Sequence, residues 1–345
     1  MDEPMQRRRA GYLDGWRGLA ILFVLAGQFF PLPGINLTLV GSALFLALSG
    51  RLIGRELFIT RPDLPAFWRR RMARIAPALL VFVGCMTVWF NGTGHEIRIE
   101  QIAASLTFTS NYLLTGPHTA GTPLGHLWFL GVVMQGCMLM SFIAFLVRRQ
   151  VTESTYAVGC TAAVFAACAI AYWALDAEWR FTSMYRFQME VAAAGMFVSC
   201  FLAIWRIAST RPQLQFAAPA LLVLALAASL SRVPPALQVV GGGAACALAL
   251  NLVDQSHSAF RQTLESRVLR KLGAWSFSIY LWQQPFHMMV NQGEIGQVTG
   301  VVSALVAGIT AFHLIEGPAR AWLNRSWAPR RRLTLVYSST AAPLP

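Results

Sequence analysis

The chain has 345 residues, of which 56% are hydrophobic and only 12% charged, and its mean hydropathy is +0.51. So little charge excludes a soluble globular protein of this length and predicts an integral membrane chain. The net charge of +13, carried by arginine everywhere except Lys271, would point to nucleic acid in a soluble protein. In a membrane chain its meaning depends on where the arginines fall, and no nucleic-acid partner is expected.

Apolar runs of about 16 to 24 residues recur at 16–31, 37–54, 75–90, 124–147, 156–175, 185–205, 214–230, 235–253, 273–290 and 298–315, close to the ~20 residues that a ~30 Å hydrocarbon core requires. The expected fold is therefore an all-α polytopic bundle of about ten transmembrane helices. The first run, YLDGWRGLAILFVLAGQFF from Tyr12 to Phe30, starts at a charged head and has a polar group deep inside. It reads either as a plain first membrane helix or as a functional one. At a rise of ~1.5 Å per residue the amide of Gln28 lies roughly 16 Å beyond Arg17. A central arginine costs on the order of 3 kcal/mol in a membrane helix, so Arg17 and Gln28 are functional candidates by default. No cleavage site follows the Arg7–Arg9 triplet, and the run is expected to stay as an anchor.

Ten spans place the N-terminal triplet, the arginine-rich segment 51–74, the Arg148–Arg149 turn, the 261–271 loop and the C-terminal tail on one side. The other side receives only Arg98, Arg180, Arg186 and Arg232. The positive-inside rule then orients the chain with both termini in the cytoplasm. Segment 102–115, IAASLTFTSNYLLT, is short and polar; it reads as an interfacial or re-entrant piece, with a spanning helix as the alternative. The membrane-embedded unit is expected over 1–320, with 321–345 as a basic, flexible cytoplasmic tail that lies against lipid or is disordered. Small residues around Gly241, Gly242 and Gly243 are expected to let helices pack closely.

The six cysteines all lie in apolar runs without a C-x-x-C pair or nearby histidines, which predicts neither disulfide nor metal site. The cluster Arg69-Arg70-Arg71-x-x-Arg74-Ile75-x-Pro77 has two readings. It is a stop-transfer and lipid-phosphate cluster, or it is a phosphate clamp whose guanidinium forks, with Arg17 and Arg51 as further members, hold a polyphosphate or nucleotide-bearing donor. No P-loop or G-x-G-x-x-G motif is present.

Four blocks, in order, span nearly the whole chain: LDGWRGLAILFVLAGQ, GSALFLALSGRLI, FWRRRMARIAP, and LGAWSFSIYLWQQPF followed by HLIEGPAR, with LGHLWFLGVVMQ between the third and fourth. In this combination the chain resembles the acyltransferase family 3 membrane proteins, which transfer acyl groups from acyl-CoA to sugar or other hydroxyls at the bacterial cell surface. The resemblance implies a multi-pass protein of the bacterial cytoplasmic (inner) membrane. It also implies acyl-CoA, acetyl-CoA foremost, as cosubstrate with no bound cofactor, a glycan or lipid-linked sugar as acceptor, and Arg17, Arg69, Arg70, Arg71 and Arg74 as the donor-phosphate site. The sequence departs from the family pattern at three places. Gln28 stands where a histidine follows the first-helix arginine, Gln283 stands in the Y-L-W-H-x-P block, and Val133 and Met134 replace the usual acidic position. A neutral amide donates and accepts hydrogen bonds but is not a general base. Two functions follow, O-acyl transfer or a catalytically degenerate relative that binds or moves a glycan or lipid.

Among other polar residues, His126 ahead of Trp128 is the best substitute base, with a hydrogen-bonded structural histidine as the alternative. His287 and His313 either face a cavity or pack. His95 and His118 read as loop residues. Asp14, three residues before Arg17, reads as its ion-pair partner or as a cap. Ser49 reads as a packing residue. Glu316 ahead of Pro318 is a carboxylate partner for a cytoplasmic arginine. Arg186 and Glu190, spaced i, i+4, are expected to neutralise each other.

Overall fold

Every apolar run coincides with a helix in the computed structural model, which describes residues 3–94, 96–113, 122–175, 187–205 and 214–327. The helices are α1 (Glu3–Phe29), α2 (Leu37–Gly54), α3 (Leu64–Gly92), α4 (Ile99–Leu106), α5 (Ser110–Leu113), α6 (Trp128–Arg148), α7 (Ser154–Leu175) and α8 (Met189–Ala192). They continue with α9 (Ala194–Trp205), α10 (Ala217–Ala228), α11 (Gly242–Leu252), α12 (Ser258–Leu264), α13 (Arg267–Asn291), α14 (Gln297–Ala311) and α15 (Gly317–Ser326). No strand occurs among the described residues, only isolated bridges that tie Ile35 to Leu32 and Leu230.

Among the described residues, six helical stretches are long and apolar enough to cross a membrane: Leu37–Thr60, Leu64–Gly92, Gly125–Arg148, Ser154–Leu175, Leu237–Gln255 and Gln297–Ser326. The protein is thus a multi-pass membrane protein. Helices α1 and α13 are 27 and 25 residues long but carry more polar residues, and α9 and α10 are apolar but have 12 residues each. Of segment 102–115, the described residues 102–113 form the end of α4 and all of α5, both far shorter than a membrane span.

Local chemistry sets the helix starts. The Asn36 side chain accepts from the Leu39 amide at 3.0 Å to cap α2, and Ser266 accepts from the Leu269 amide to cap α13. Between α2 and α3 the chain passes through a π-helical turn, Arg55–Thr60, that ends at Arg61 in a left-handed conformation. A second π-helical turn, Phe312–Glu316, joins α14 to α15.

Helix α1 lies at the centre, packed against α2 on one side and α13 on the other. Its contact with α13 is a backbone-to-backbone approach. A methyl group on Gly273 would lie 1.8 Å from the Asp14 carbonyl oxygen, and one on Gly18 would lie 2.1 Å from that of Leu269. Small residues permit this approach, which maximises packing where lipid tails offer no hydrophobic drive between helices. In the triglycine, Gly243 meets Gly195 of α9 at backbone distance, whereas Gly241 faces open space. Helix α15 runs from Gly317 to Ser326, across residue 320.

The α1–α13 contact sets an expectation for stability. Gly273→Ala should lower the thermal unfolding temperature in detergent by several degrees, as overpacking of about 1–3 kcal/mol requires. Gly84→Ala, with nothing within 4 Å of the added methyl, should be neutral or stabilising because alanine is the better helix former. Equal tolerance of both changes would show that α1 and α13 do not pack so closely.

Candidate functional site

At the end of the bundle where α2 ends and α3 begins, a cavity of about 1210 Å³ runs inward between α1, α2, α3, α6 and α13. Seven arginines line it, Arg17, Arg55, Arg70, Arg71, Arg74, Arg261 and Arg320, together with three carboxylates, Glu56, Asp254 and Glu265. The deeper wall is apolar and aromatic, with Phe45, Leu48, Ile53, Phe129, Leu130 and Phe277, and Ser49 lies in this wall as well.

The arginine-rich segment is helical, and helical geometry sorts its members. At about 100° per residue, Arg70, Arg71 and Arg74 fall within one roughly 100° sector, and Arg69 lies on the other flank. Accordingly the first three line the cavity while Arg69 is exposed and outside it. Arg70 pairs with Glu56 at 2.6 Å. The Arg71 guanidinium lies 5.5 Å from the Phe67 ring centroid, and its buried Nε has no hydrogen-bond partner among the described residues. Arg17 donates to Asp14 at 2.7 Å, the pair expected from their spacing. Arg74 approaches Glu316 at 3.9 Å. Glu316 is 1% exposed and its other carboxylate oxygen accepts from Ser278 at 2.6 Å, so one buried carboxylate joins α3, α13 and the turn after α14.

Arg51 is not part of this wall. Buried on α2, it donates to Tyr12 at 3.2 Å, to Asp254 at 2.9 Å and to the Leu250 carbonyl, and so cross-links α1, α2 and the end of α11.

Beyond the aromatic wall is a small chamber of about 40 Å³ lined by Val24, Gln28, Thr38, Ser42, Phe45, His126, Trp128, Phe129 and Tyr280. Gln28 and His126, 98 residues apart in sequence and in no common motif, meet here because α1 ends where α6 begins. The Gln28 Oε1 and both ring nitrogens of His126 are buried without a hydrogen-bond partner among the described residues, although the carbonyls of Pro123 and Leu281 lie near the imidazole. Phe82 and Tyr280 pack against the imidazole with centroids 5.4 and 5.0 Å away, and the Tyr280 hydroxyl donates to the His126 carbonyl. Trp128 meets Phe129 edge to face and lies tilted against Phe187.

Gln283 lines neither cavity. It is fully buried and both polar atoms of its amide lack partners among the described residues. His287 sits by Asn291 and Phe29, His313 between Trp275 and Phe312, and Glu190 accepts from Tyr112 at 2.8 Å. His95, His118, Arg180 and Arg186 lie outside the described residues, as does the tail from 328 onward.

Sequence reasoning passed over Arg55, Arg261, Arg320, Asn324, Phe45, Phe129 and Tyr280. Arg320 and Tyr280 lie inside the GPAR and SIYLW stretches and were within reach of the motif reading. Phe45 and Phe129 carry no signal of their own, since one phenylalanine among the 22 in this chain looks like another.

The fold and the site are those of a helical membrane bundle in which an arginine-lined cavity adjoins a small polar chamber. The acyltransferase 3 family model, described as an acyltransferase domain, matches residues 10–315, and the chain belongs to that family. It is 27% identical to a Komagataeibacter xylinus protein named as a membrane-bound transacylase, BcsY, over 94% of this chain and 86% of that protein. It is 24% identical to a Bacillus subtilis protein named as a peptidoglycan O-acetyltransferase, YrhL, over 92% of this chain and 56% of that protein. No solved structure matches significantly.

The different surroundings of the arginines separate those consumed by the scaffold from those that line the cavity. Arg51→Gln should cost on the order of 2–3 kcal/mol, the worth of hydrogen bonds to a charged group, seen as a lower midpoint in denaturant or heat. Arg71→Gln should change stability by less than about 0.5 kcal/mol, or raise it, because it removes a like charge from the cluster. A loss for Arg71→Gln as large as that for Arg51→Gln would refute this division.

Proposed function

We propose that the protein transfers an acyl group from acyl-CoA to a hydroxyl of a glycan or lipid-linked sugar, working in the bacterial cytoplasmic membrane with both termini in the cytoplasm. The observation that carries this reading is the joining of the two compartments: cationic forks in excess of their carboxylate partners around the larger one, and unpartnered polar groups in the smaller one directly behind it. Arginine binds phosphate oxygens bidentately and retains its charge when buried. The nucleotide and pantetheine phosphates of acyl-CoA therefore lie among Arg17, Arg70, Arg71 and Arg74, and the thioester points inward.

In the chamber, His126 serves as general base. It takes the proton of the acceptor hydroxyl as that oxygen attacks the thioester carbonyl, and it returns the proton to the departing CoA sulfur. The Gln28 amide donates to the thioester oxygen as charge develops there. Membership of the family and the transacylase and O-acetyltransferase names of the relatives support this chemistry.

A second reading, binding or presentation of a glycan or lipid without transfer, is favoured by Gln28 standing where the family resemblance implies a histidine. Liposome assays with acetyl-CoA and candidate acceptors decide between them. Transfer by the parent protein that falls by about 10²–10⁴-fold in His126→Ala, the usual contribution of a positioned base, supports the first. A parent that is inactive until Gln28→His is made supports the second. For donor binding, Arg17→Gln and Arg74→Gln should each weaken CoA affinity by about 1.5–3 kcal/mol in titration calorimetry, and unchanged affinity in both would reject the arginine site.

In this orientation the chain crosses ten times, through α1, α2, α3, α6, α7, the α8–α9 pair, α10, α11, α13 and α14, an arrangement that would put the arginine-rich ends on one side. Reporter fusions after residues 60, 150 and 260 should report the cytoplasm and those after 95 and 293 the outer side. A fusion at 150 that reports the outer side would break this topology.

A further inference from the structure

The small chamber has a second polar border besides Gln28 and His126. Thr38 and Ser42 line it, and both belong to α2, four residues apart, so helical geometry sets them one turn above the other on a single face. Ser42 is 8% exposed, and neither hydroxyl hydrogen bonds to another described residue. The usual partner of a hydroxyl within a helix is the carbonyl one turn earlier, the bond that Thr87, Ser105, Thr107 and Thr161 make. Ser42 forgoes it, and a buried hydroxyl without a partner costs free energy until something supplies one.

The start of α2 is shaped to bring these groups to the chamber. A methyl group on Gly27 would collide with both the amide nitrogen and Oγ1 of Thr38, so glycine at that position of α1 lets the first turn of α2 come in beside the neighbouring Gln28. Asn36 fixes the turn by capping the Leu39 amide. Phe45, Phe129 and Tyr280 line both compartments, which puts Thr38 and Ser42 beyond them, on the side of His126 and away from the arginines.

We propose that Thr38 and Ser42 form the acceptor subsite and hold the hydroxyl next to the one that is acylated, so that the protein selects an acceptor with two neighbouring hydroxyls over an isolated alcohol. The proposal rests on acyl transfer with His126 as base. A general base must lie within hydrogen-bond reach of the hydroxyl it deprotonates, so the attacking oxygen belongs at His126 and its neighbour faces α2. A serine or threonine hydroxyl both donates and accepts, which matches a partner that does the same. An anion would call for donors alone, and an alkyl chain for neither.

Acetyl transfer in liposomes to the methyl glycosides of glucose and N-acetylglucosamine and to their monodeoxy analogues tests the subsite, with CoA affinity measured in parallel. In the parent protein, loss of the hydroxyl beside the acetylated one should lower kcat/KM by roughly three- to tenfold, the usual worth of a neutral hydrogen bond. Thr38→Val combined with Ser42→Ala should erase that preference while CoA affinity stays at the parent's value. Thr38→Ser, which keeps the hydroxyl, should keep the preference, and Ser42→Ala alone answers the question if the double variant does not fold. A parent indifferent to the neighbouring hydroxyl, or a double variant with the parent's preference, would overturn the subsite and leave acyl transfer standing. A folded parent that binds CoA but acetylates none of the sugars would overturn the subsite together with the sugar acceptor, and one that binds no CoA would overturn the donor reading as well.

Discussion

Positive charge that cannot be discharged, drawn into the side of an apolar bundle, is the constraint around which the rest of the protein is arranged. Guanidinium groups do not give up their protons at physiological pH, so each one near the cavity needs a carboxylate, a hydrogen-bond acceptor or a ligand. Three carboxylates on different elements meet part of that need: Asp14 on α1, Glu56 in the turn after α2 and Glu316 in the turn after α14. Glu316 is the most demanding, because a carboxylate 1% exposed is tolerable only with partners. Ser278 and Arg74 supply them, and in doing so hold α13 and α3 in register with the end of α14. The Nε of Arg71 is left without such a partner among the described residues.

The close approach of α1 and α13 is the complementary constraint. Glycines at the crossing bring the two backbones together, which leaves the long aromatic side chains of α13, Phe277 and Tyr280, to project toward α6 and the cavity rather than between the helices. The result is a division of labour along one axis. Charge is gathered at one end, apolar wall follows, and a few polar groups are enclosed beyond it. Arg51 belongs to a different task, tying the first two helices to the end of α11, although in sequence it looks the same as the arginines that line the cavity.

Much of the architecture was legible residue by residue. Run lengths set the helices, because a hydrocarbon core demands about 20 apolar residues and allows few other patterns. Three-residue spacing pointed to the Asp14–Arg17 pair, and the position of Glu316 before a proline pointed to a partner among the arginines; both contacts are present. The arginine-rich segment was read as a block, yet helix periodicity divides it, and Arg69 faces away from Arg70, Arg71 and Arg74. That division follows from the 3.6-residue repeat and was available from sequence once the segment was taken as helical.

By itself, then, the sequence determined that the chain is a multi-helix membrane protein, that its long apolar runs are helical, and that its ordered motifs mark its family. These are properties of composition and local period, which each segment carries within itself. Only the tertiary structure decided that Gln28 and His126 share a chamber while Gln283 does not, that Arg51 is consumed by the scaffold, and that Phe45, Phe129 and Tyr280 stand between the two compartments. Each of those facts depends on which faces of distant helices meet, and close packing at glycine crossings fixes those faces through contacts that no single stretch of sequence contains.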